Sequence, residues 1–218
     1  MNLVAVGIAA VVAYFLGSVP TAVWFGKAFY NTDVREHGSG NPGATNTFRV
    51  LGKKAGTIVM LADITKGMLA ASIAVILMNL GYIEESYLVT AKLILGIVAV
   101  TGHIFSAFIN FKGGKGVATL LGMMVAVHYE VALVCIAVFL ITLIISKYVS
   151  LASIIGTLTF PSLLVFVPRF KSSEPLLIIF GFFLFIVIVW THHKNIRRIV
   201  EGEENKTYLL KSSKKDNS

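Results

Sequence analysis

Charge is what this sequence has least of. Asp, Glu, Lys and Arg make up 14% of its 218 residues while 56% are hydrophobic, and mean hydropathy is +0.81. Soluble domains carry about 25% charged and about 45–50% apolar residues. The water-facing shell of a soluble enzyme, a DNA-binding module or a disordered protein is therefore missing, and the solvent for most of the chain is lipid. There is one cysteine, Cys135, inside the apolar run VALVCIAVFL. No disulfide can form within the chain, and Cys135 reads as a packing residue. The chain has no His-Glu-x-x-His and no Cys partner for its adjacent His192 and His193, so no metal site is expected. There is no Gly-x-Ser-x-Gly elbow for a serine hydrolase. Gly114-Lys115 is followed by Gly116, not by the Ser or Thr of a Walker A loop, which removes the usual magnesium ligand and with it the case for an NTPase. No long basic stripe lies outside the apolar runs, so no nucleic-acid partner is expected. No Lys or Arg precedes the first apolar run, unlike a cleaved signal peptide.

What is there is a series of apolar runs. About 20 apolar residues cross a bilayer as a helix. The runs predict spans at about 3–26, 55–80, 88–109, 117–128, 130–146, 149–167 and 175–191. The fourth, VATLLGMMVAVH, is short. Pro20 is expected to kink the first, which membrane helices tolerate. The net charge is +8, from 19 Lys+Arg against 11 Asp+Glu. With the N-terminus outside, the inner segments hold Lys27, Arg35, Arg49, Lys53, Lys54, Lys112, Lys115, Lys147 and the seven cations of the tail from 192. Only Arg169 and Lys171 lie outside, and Lys66 and Lys92 lie within spans. The bias of cations to the cytoplasmic side predicts an all-α polytopic membrane protein with seven transmembrane helices. Its N-terminus is outside and its C-terminus cytoplasmic, in the cell (inner or plasma) membrane. Residues 1–204 form a single transmembrane domain, and 205–218 form a polar, flexible tail.

The inner segments carry three unusual stretches. In the first, Gly38-Ser39-Gly40-Asn41-Pro42-Gly43-Ala44-Thr45-Asn46-Thr47-Phe48-Arg49, glycines let backbone N–H groups turn toward a common point. Ser39, Asn41, Thr45 and Asn46 add donors, and Arg49 a forked cation suited to phosphate. In the second, Lys112-Gly113-Gly114-Lys115-Gly116 opens a helix, where free N–H groups and the helix dipole favour an anion. In the third, His192 and Asn195 of HHKNIRR are three apart and share a helix face, which Arg198 extends. Within the second span, Asp63 and Lys66 are three apart and read as a structural pair. Lys92 and Glu130 read as snorkelling to the outer interface.

These stretches, GSGNPGATNTFR, GHIFSAFINFKGGKGVAT and HHKNIRRIVEGEE, resemble the three signature motifs of the PlsY family of bacterial membrane acyl-phosphate:glycerol-3-phosphate acyltransferases. The resemblance runs from 38 to 204 and so covers nearly the whole chain. One position departs: His193 stands where the family usually has arginine. The resemblance implies transfer of a fatty acyl group from acyl-phosphate to the 1-hydroxyl of glycerol 3-phosphate, giving lysophosphatidic acid and phosphate. This is the first acylation step of phospholipid biosynthesis, and it needs no cofactor. None of the five histidines has Asp five positions later, so the His-x-x-x-x-Asp motif of other glycerolipid acyltransferases is absent.

The resemblance assigns catalytic roles to Ser39, Arg49, His192 and Asn195. It assigns substrate binding to Gly38, Gly40, Asn41, Gly43, Thr45 and Asn46, and to Lys112, Gly113, Gly114, Lys115 and Gly116. Both substrates carry phosphate, in keeping with anion-suited loops. Either His192 or the substrate's own phosphate takes the proton of the attacking hydroxyl. A transporter of phosphate or phosphorylated solutes is the alternative. It accounts for the anion loops, but paired repeats are expected of it and none is visible. The expected partners are thus acyl-phosphate, glycerol 3-phosphate and the bilayer. Labelling of intact cells should place the neighbourhoods of Ser39, Lys115 and His192 on the cytoplasmic face. Finding them on opposite faces would end the idea of one shared pocket.

Overall fold

A computed structural model describes residues 1–172 and 174–207. Among them there are α-helices and short 3-10 turns and no strand. The helices are α1 (Leu3–Ser18), α2 (Thr21–Tyr30), α3 (Ala44–Asn79), α4 (Leu88–Ile104), α5 (Val117–Val127), α6 (Tyr129–Ser146), α7 (Val149–Phe166), α8 (Pro175–Thr191) and α9 (His193–Val200). Most of the expected tail, from 208 on, lies outside the described residues.

Four helical segments are long and apolar enough to cross a membrane: Ala44–Asn79, Glu85–Ile109, Tyr129–Ser146 and Val149–Phe166. Two bent pairs, α1 with α2 at 42° and α8 with α9 at 62°, raise this to six if each is one span. α5 has 11 residues, so it is about 16 Å long at 1.5 Å per residue. That is half of the roughly 30 Å hydrocarbon core, so length alone does not make it a crossing.

The first run is interrupted at Pro20, between α1 and α2, as its ring and missing N–H require. The second run begins earlier than the apolar pattern suggests. α3 starts at Ala44, so the second half of the first motif is helical and not loop. Gly52, at φ 85°, interrupts that helix, a backbone state that costs glycine little. This break separates the motif turn from the membrane part of α3.

Close helix approach holds the bundle together. α3 packs on α5, and α1 on α4. A Cβ at Gly67 would meet the Thr119 carbonyl oxygen, one at Gly122 the Ile64 carbonyl oxygen, and one at Gly17 the Ala99 carbonyl oxygen. Small residues at such crossings let backbones touch where lipid supplies no hydrophobic drive between helices. Lys92 Nζ donates to the Ala126 carbonyl oxygen at 2.8 Å, satisfying the C-terminal end of α5. Gly122→Ala should therefore push α3 and α5 apart and cost about 1–3 kcal/mol. A thermal unfolding midpoint equal to that of the parent in the same detergent would refute this account of the crossing.

Candidate active site

The first motif makes a turn that is closed by Asn46. Its buried side chain accepts from the Ser39 N–H (2.8 Å) and hydroxyl (3.2 Å), and donates to the carbonyl oxygens of Val34 (2.7 Å) and His37 (3.0 Å). With both donors and its oxygen so engaged, Asn46 shapes the turn and holds Ser39. The Gly40 N–H donates to the His37 carbonyl and the Gly43 N–H to the Asn41 carbonyl, so these two amides are also used within the turn. The exposed Ser39 and Arg49 stand at its two ends.

In the second motif two amides are engaged within the protein. The Gly113 N–H donates to the Ile104 carbonyl oxygen (2.9 Å) and the Gly114 N–H to that of His103 (3.1 Å). These amides are not free to cradle a phosphate. Their glycines are needed for another reason: a Cβ at Gly113 would meet the His103 carbonyl oxygen, and one at Gly114 the His103 ring at Nε2. The turn is thus pressed onto the end of α4, and it projects Lys115 away from that contact. Lys112 is exposed; Lys115 is half-buried, and its Nζ donates to Asn195 Oδ1.

The third motif supplies the centre. α8 ends at Thr191, and the chain turns at His192 into α9. Gly202, at φ 77°, then reverses the chain after α9, with the Glu203 and Glu204 N–H groups bonded to the Arg198 carbonyl oxygen at 2.7 and 3.1 Å. A left-handed glycine at this position is a common helix stop. It brings the Glu204 carboxylate back beside its own helix, where it is 6% exposed. Glu204 accepts from Asn195 Nδ2 (2.6 Å), Ser150 Oγ (2.9 Å) and Arg198 Nε (2.8 Å). Burial by itself would raise its pKa, but these bonds outweigh burial and hold the carboxyl below its usual range.

Lys115 responds in the opposite direction. Burial disfavours its charged form and the nearby Arg198 and Arg49 repel it, partly offset by Glu204; its pKa falls to about 8. His192 Nδ1 lies 2.8 Å from the Ile188 carbonyl oxygen. A carbonyl only accepts, so Nδ1 carries the proton and Nε2 has the lone pair. Burial, together with the Lys115 cation, lowers the His192 pKa to about 4 against the smaller pull of Ile188 and Glu204.

Lys115, His192, Asn195, Arg198 and Glu204 thus form one cluster, and Arg49 brings the charge of the first motif to it. Glu204 and Ser150 were not among the expected site residues. Glu204 lies in the third motif, but nothing in its spacing said that Gly202 would fold it back. Ser150 belongs to no motif, and only the packing of α7 against α9 brings it there.

This arrangement defines an integral membrane protein with a cationic, hydrogen-bonded cluster built at the ends of its helices. Comparison with known proteins gives the family. The family model described as glycerol-3-phosphate acyltransferase matches residues 7–202. A glycerol-3-phosphate acyltransferase of Chlorobium luteolum is 38% identical, over 93% of this chain and 96% of its own. One from Fusobacterium nucleatum is 41% identical over 90% and 95%. The glycerol 3-phosphate form of PlsY (YgiH), an integral membrane glycerol 3-phosphate acyltransferase solved by crystallography, superposes with a TM-score of 0.82. It shares 34% identity over 94% of this chain and 96% of its own. The chain belongs to the glycerol-3-phosphate acyltransferase family of the PlsY type.

Proposed function

We propose that this enzyme transfers a fatty acyl group from acyl-phosphate to the 1-hydroxyl of glycerol 3-phosphate and releases lysophosphatidic acid and inorganic phosphate. One observation carries the reading: Lys115 and Arg198 are joined through Asn195 and the Glu204 carboxylate, and Arg49 and His192 lie near enough to feel the same charges. Such a cluster suits two phosphate-bearing reactants that must be held together against their repulsion. Support for the product comes from the similar PlsY chain solved in its lysophosphatidic acid form, at 33% identity and a TM-score of 0.80.

The glycerol 1-hydroxyl attacks the carbonyl carbon of the acyl-phosphate. A tetrahedral oxyanion forms, the bond from that carbon to the phosphate oxygen breaks, and phosphate leaves. Arg49 and Ser39 steady the acyl-phosphate and the oxyanion, and Lys115 receives the phosphate of glycerol 3-phosphate. His192 Nε2 orients the hydroxyl. At a pKa of about 4 it is a weaker base than a phosphate whose second pKa is about 6. The donor's phosphate therefore takes the proton as it leaves. The reaction is already activated, so neither metal nor nucleotide is required.

The membrane arrangement that fits this chemistry has seven crossings in the bacterial inner membrane, with the N-terminus outside. α5 is then the short fourth crossing, and the cluster faces the cytoplasm. Fifteen of the 19 Lys and Arg residues then lie on the inner side.

Purified enzyme given palmitoyl-phosphate and glycerol 3-phosphate should yield lysophosphatidic acid. No product, with uptake of phosphorylated solutes into proteoliposomes instead, would favour the transporter. Ser39→Ala and Arg49→Ala should each lower turnover about 100-fold in folded protein. Lys115 loses its charge as pH rises through about 8. kcat/KM for glycerol 3-phosphate, which reports the free enzyme, should therefore fall above that pH. In Lys115→Arg the fall should vanish, and a persistent fall would assign it to another group.

A further inference from the structure

A second set of buried charges lies apart from the Glu204 cluster, and the chemistry above leaves it without a role. Asp63 on α3 is 2% exposed and Lys66, one turn on, is 6% exposed. Their charged atoms are 2.9 Å apart. Neither serves the other alone. Lys66 Nζ donates to the Val19 carbonyl oxygen at 3.0 Å, at the break where α1 loses its helical partners. Asp63 Oδ1 accepts from Thr21 Oγ1 at 3.2 Å, on the far side of the same break. His103 Nδ1, near the end of α4, faces Asp63 Oδ1 at 3.9 Å. The other edge of the His103 ring, at Nε2, is the surface against which Gly114 lies, and the His103 carbonyl accepts the Gly114 N–H. A continuous path of contacts therefore runs from the α1–α2 break through Asp63 and His103 to the residue before Lys115. A small polar crevice between these groups is lined by Lys66, His103, Gly113 and Gly114, and also by Pro42 of the first motif.

Buried ion pairs are seldom retained for stability, because desolvation offsets their attraction and neutral replacements of similar volume often fold as well. What such a pair does supply is direction: each charge must meet particular partners, or stay buried without one. Here the partners lie on three helices and converge beneath the second motif. We propose that Asp63, Lys66 and His103 are positioning residues for glycerol 3-phosphate: they lock the α1–α2 break, α3 and the end of α4 into one geometry and so fix where the Gly113–Gly114 turn presents Lys115. The inference rests on the reading that Lys115 receives the phosphate of glycerol 3-phosphate.

The test is steady-state kinetics in detergent with both substrates varied, alongside a thermal unfolding scan. Asp63→Asn/Lys66→Gln removes both charges at nearly constant volume, so neither is stranded. His103→Phe keeps a ring against Gly114 but loses the nitrogen that faces Asp63. In each, the KM for glycerol 3-phosphate should rise about tenfold, while the KM for acyl-phosphate and the unfolding midpoint stay at parent values. Parent kinetics in either variant would overturn the proposal. An equal rise in both KM values, or a rise that follows a lowered midpoint, would also overturn it, because the network would then be no more than structural. Lys115→Ala, run in parallel, separates the two readings. An unchanged KM for glycerol 3-phosphate there would refute the phosphate contact itself, whatever the other variants do.

Discussion

Cations that are to receive a phosphate repel one another before it arrives. In this protein one buried carboxylate manages that repulsion. Glu204 takes a charge-assisted bond from Arg198 and neutral bonds from Asn195 and Ser150. Asn195 in turn accepts from Lys115. The Glu204 charge partly offsets what burial and two arginines do to Lys115, which would otherwise be driven further toward its neutral form. The same carboxylate bonds the start of α7 to the short α9, and through Asn195 it reaches the turn before α5. A charge on any of them alone at this depth would be expensive. Together they make a half-dry site in which one carboxylate tempers the cations and the net charge stays positive.

The second constraint is mechanical. A turn rich in glycine is soft, and softness is poor for holding a substrate within the tolerance that catalysis needs. The structure answers by spending the turn's own amides. Gly113 and Gly114 bond back to α4, and their absent side chains allow the close packing there. Asn46 treats the first motif in the same way, with each of its polar atoms used to close the turn that carries Ser39. In both motifs part of the polar groups is thus used within the protein itself.

This division explains what was legible in the sequence. The apolar runs located the helices to within a few residues from α4 onward, because lipid leaves a chain no alternative to closing its backbone bonds inside each run. Pro20 marked the break in the first run for the same local reason. The membrane part of α3 was placed close to where the helix resumes after Gly52, but the helical turns before that break were missed, since Ala44 to Arg49 carry no apolar period. Asn46 and the two glycines were read as substrate groups because donors and glycines look alike whether they face a ligand or a carbonyl. Only three-dimensional neighbours separate the two uses. Glu204 and Ser150 were illegible for the converse reason: the fold brings them together across 54 residues of chain, and no spacing rule anticipates that.

Basicity orders the candidates for proton transfer. A histidine in an active site invites the role of general base, but efficiency requires a pKa near the working pH. Burial and the Lys115 cation hold His192 at about 4, and protonating it would put a second positive charge beside that lysine. The bond from Nδ1 to Ile188 meanwhile fixes the ring so that Nε2 presents its lone pair in one direction. A neutral, fixed acceptor is well made to aim a hydroxyl and poorly made to keep its proton. In the proposed reaction a leaving phosphate gains basicity as its bond to the acyl carbon breaks, so that proton and phosphate would depart together without charging the imidazole.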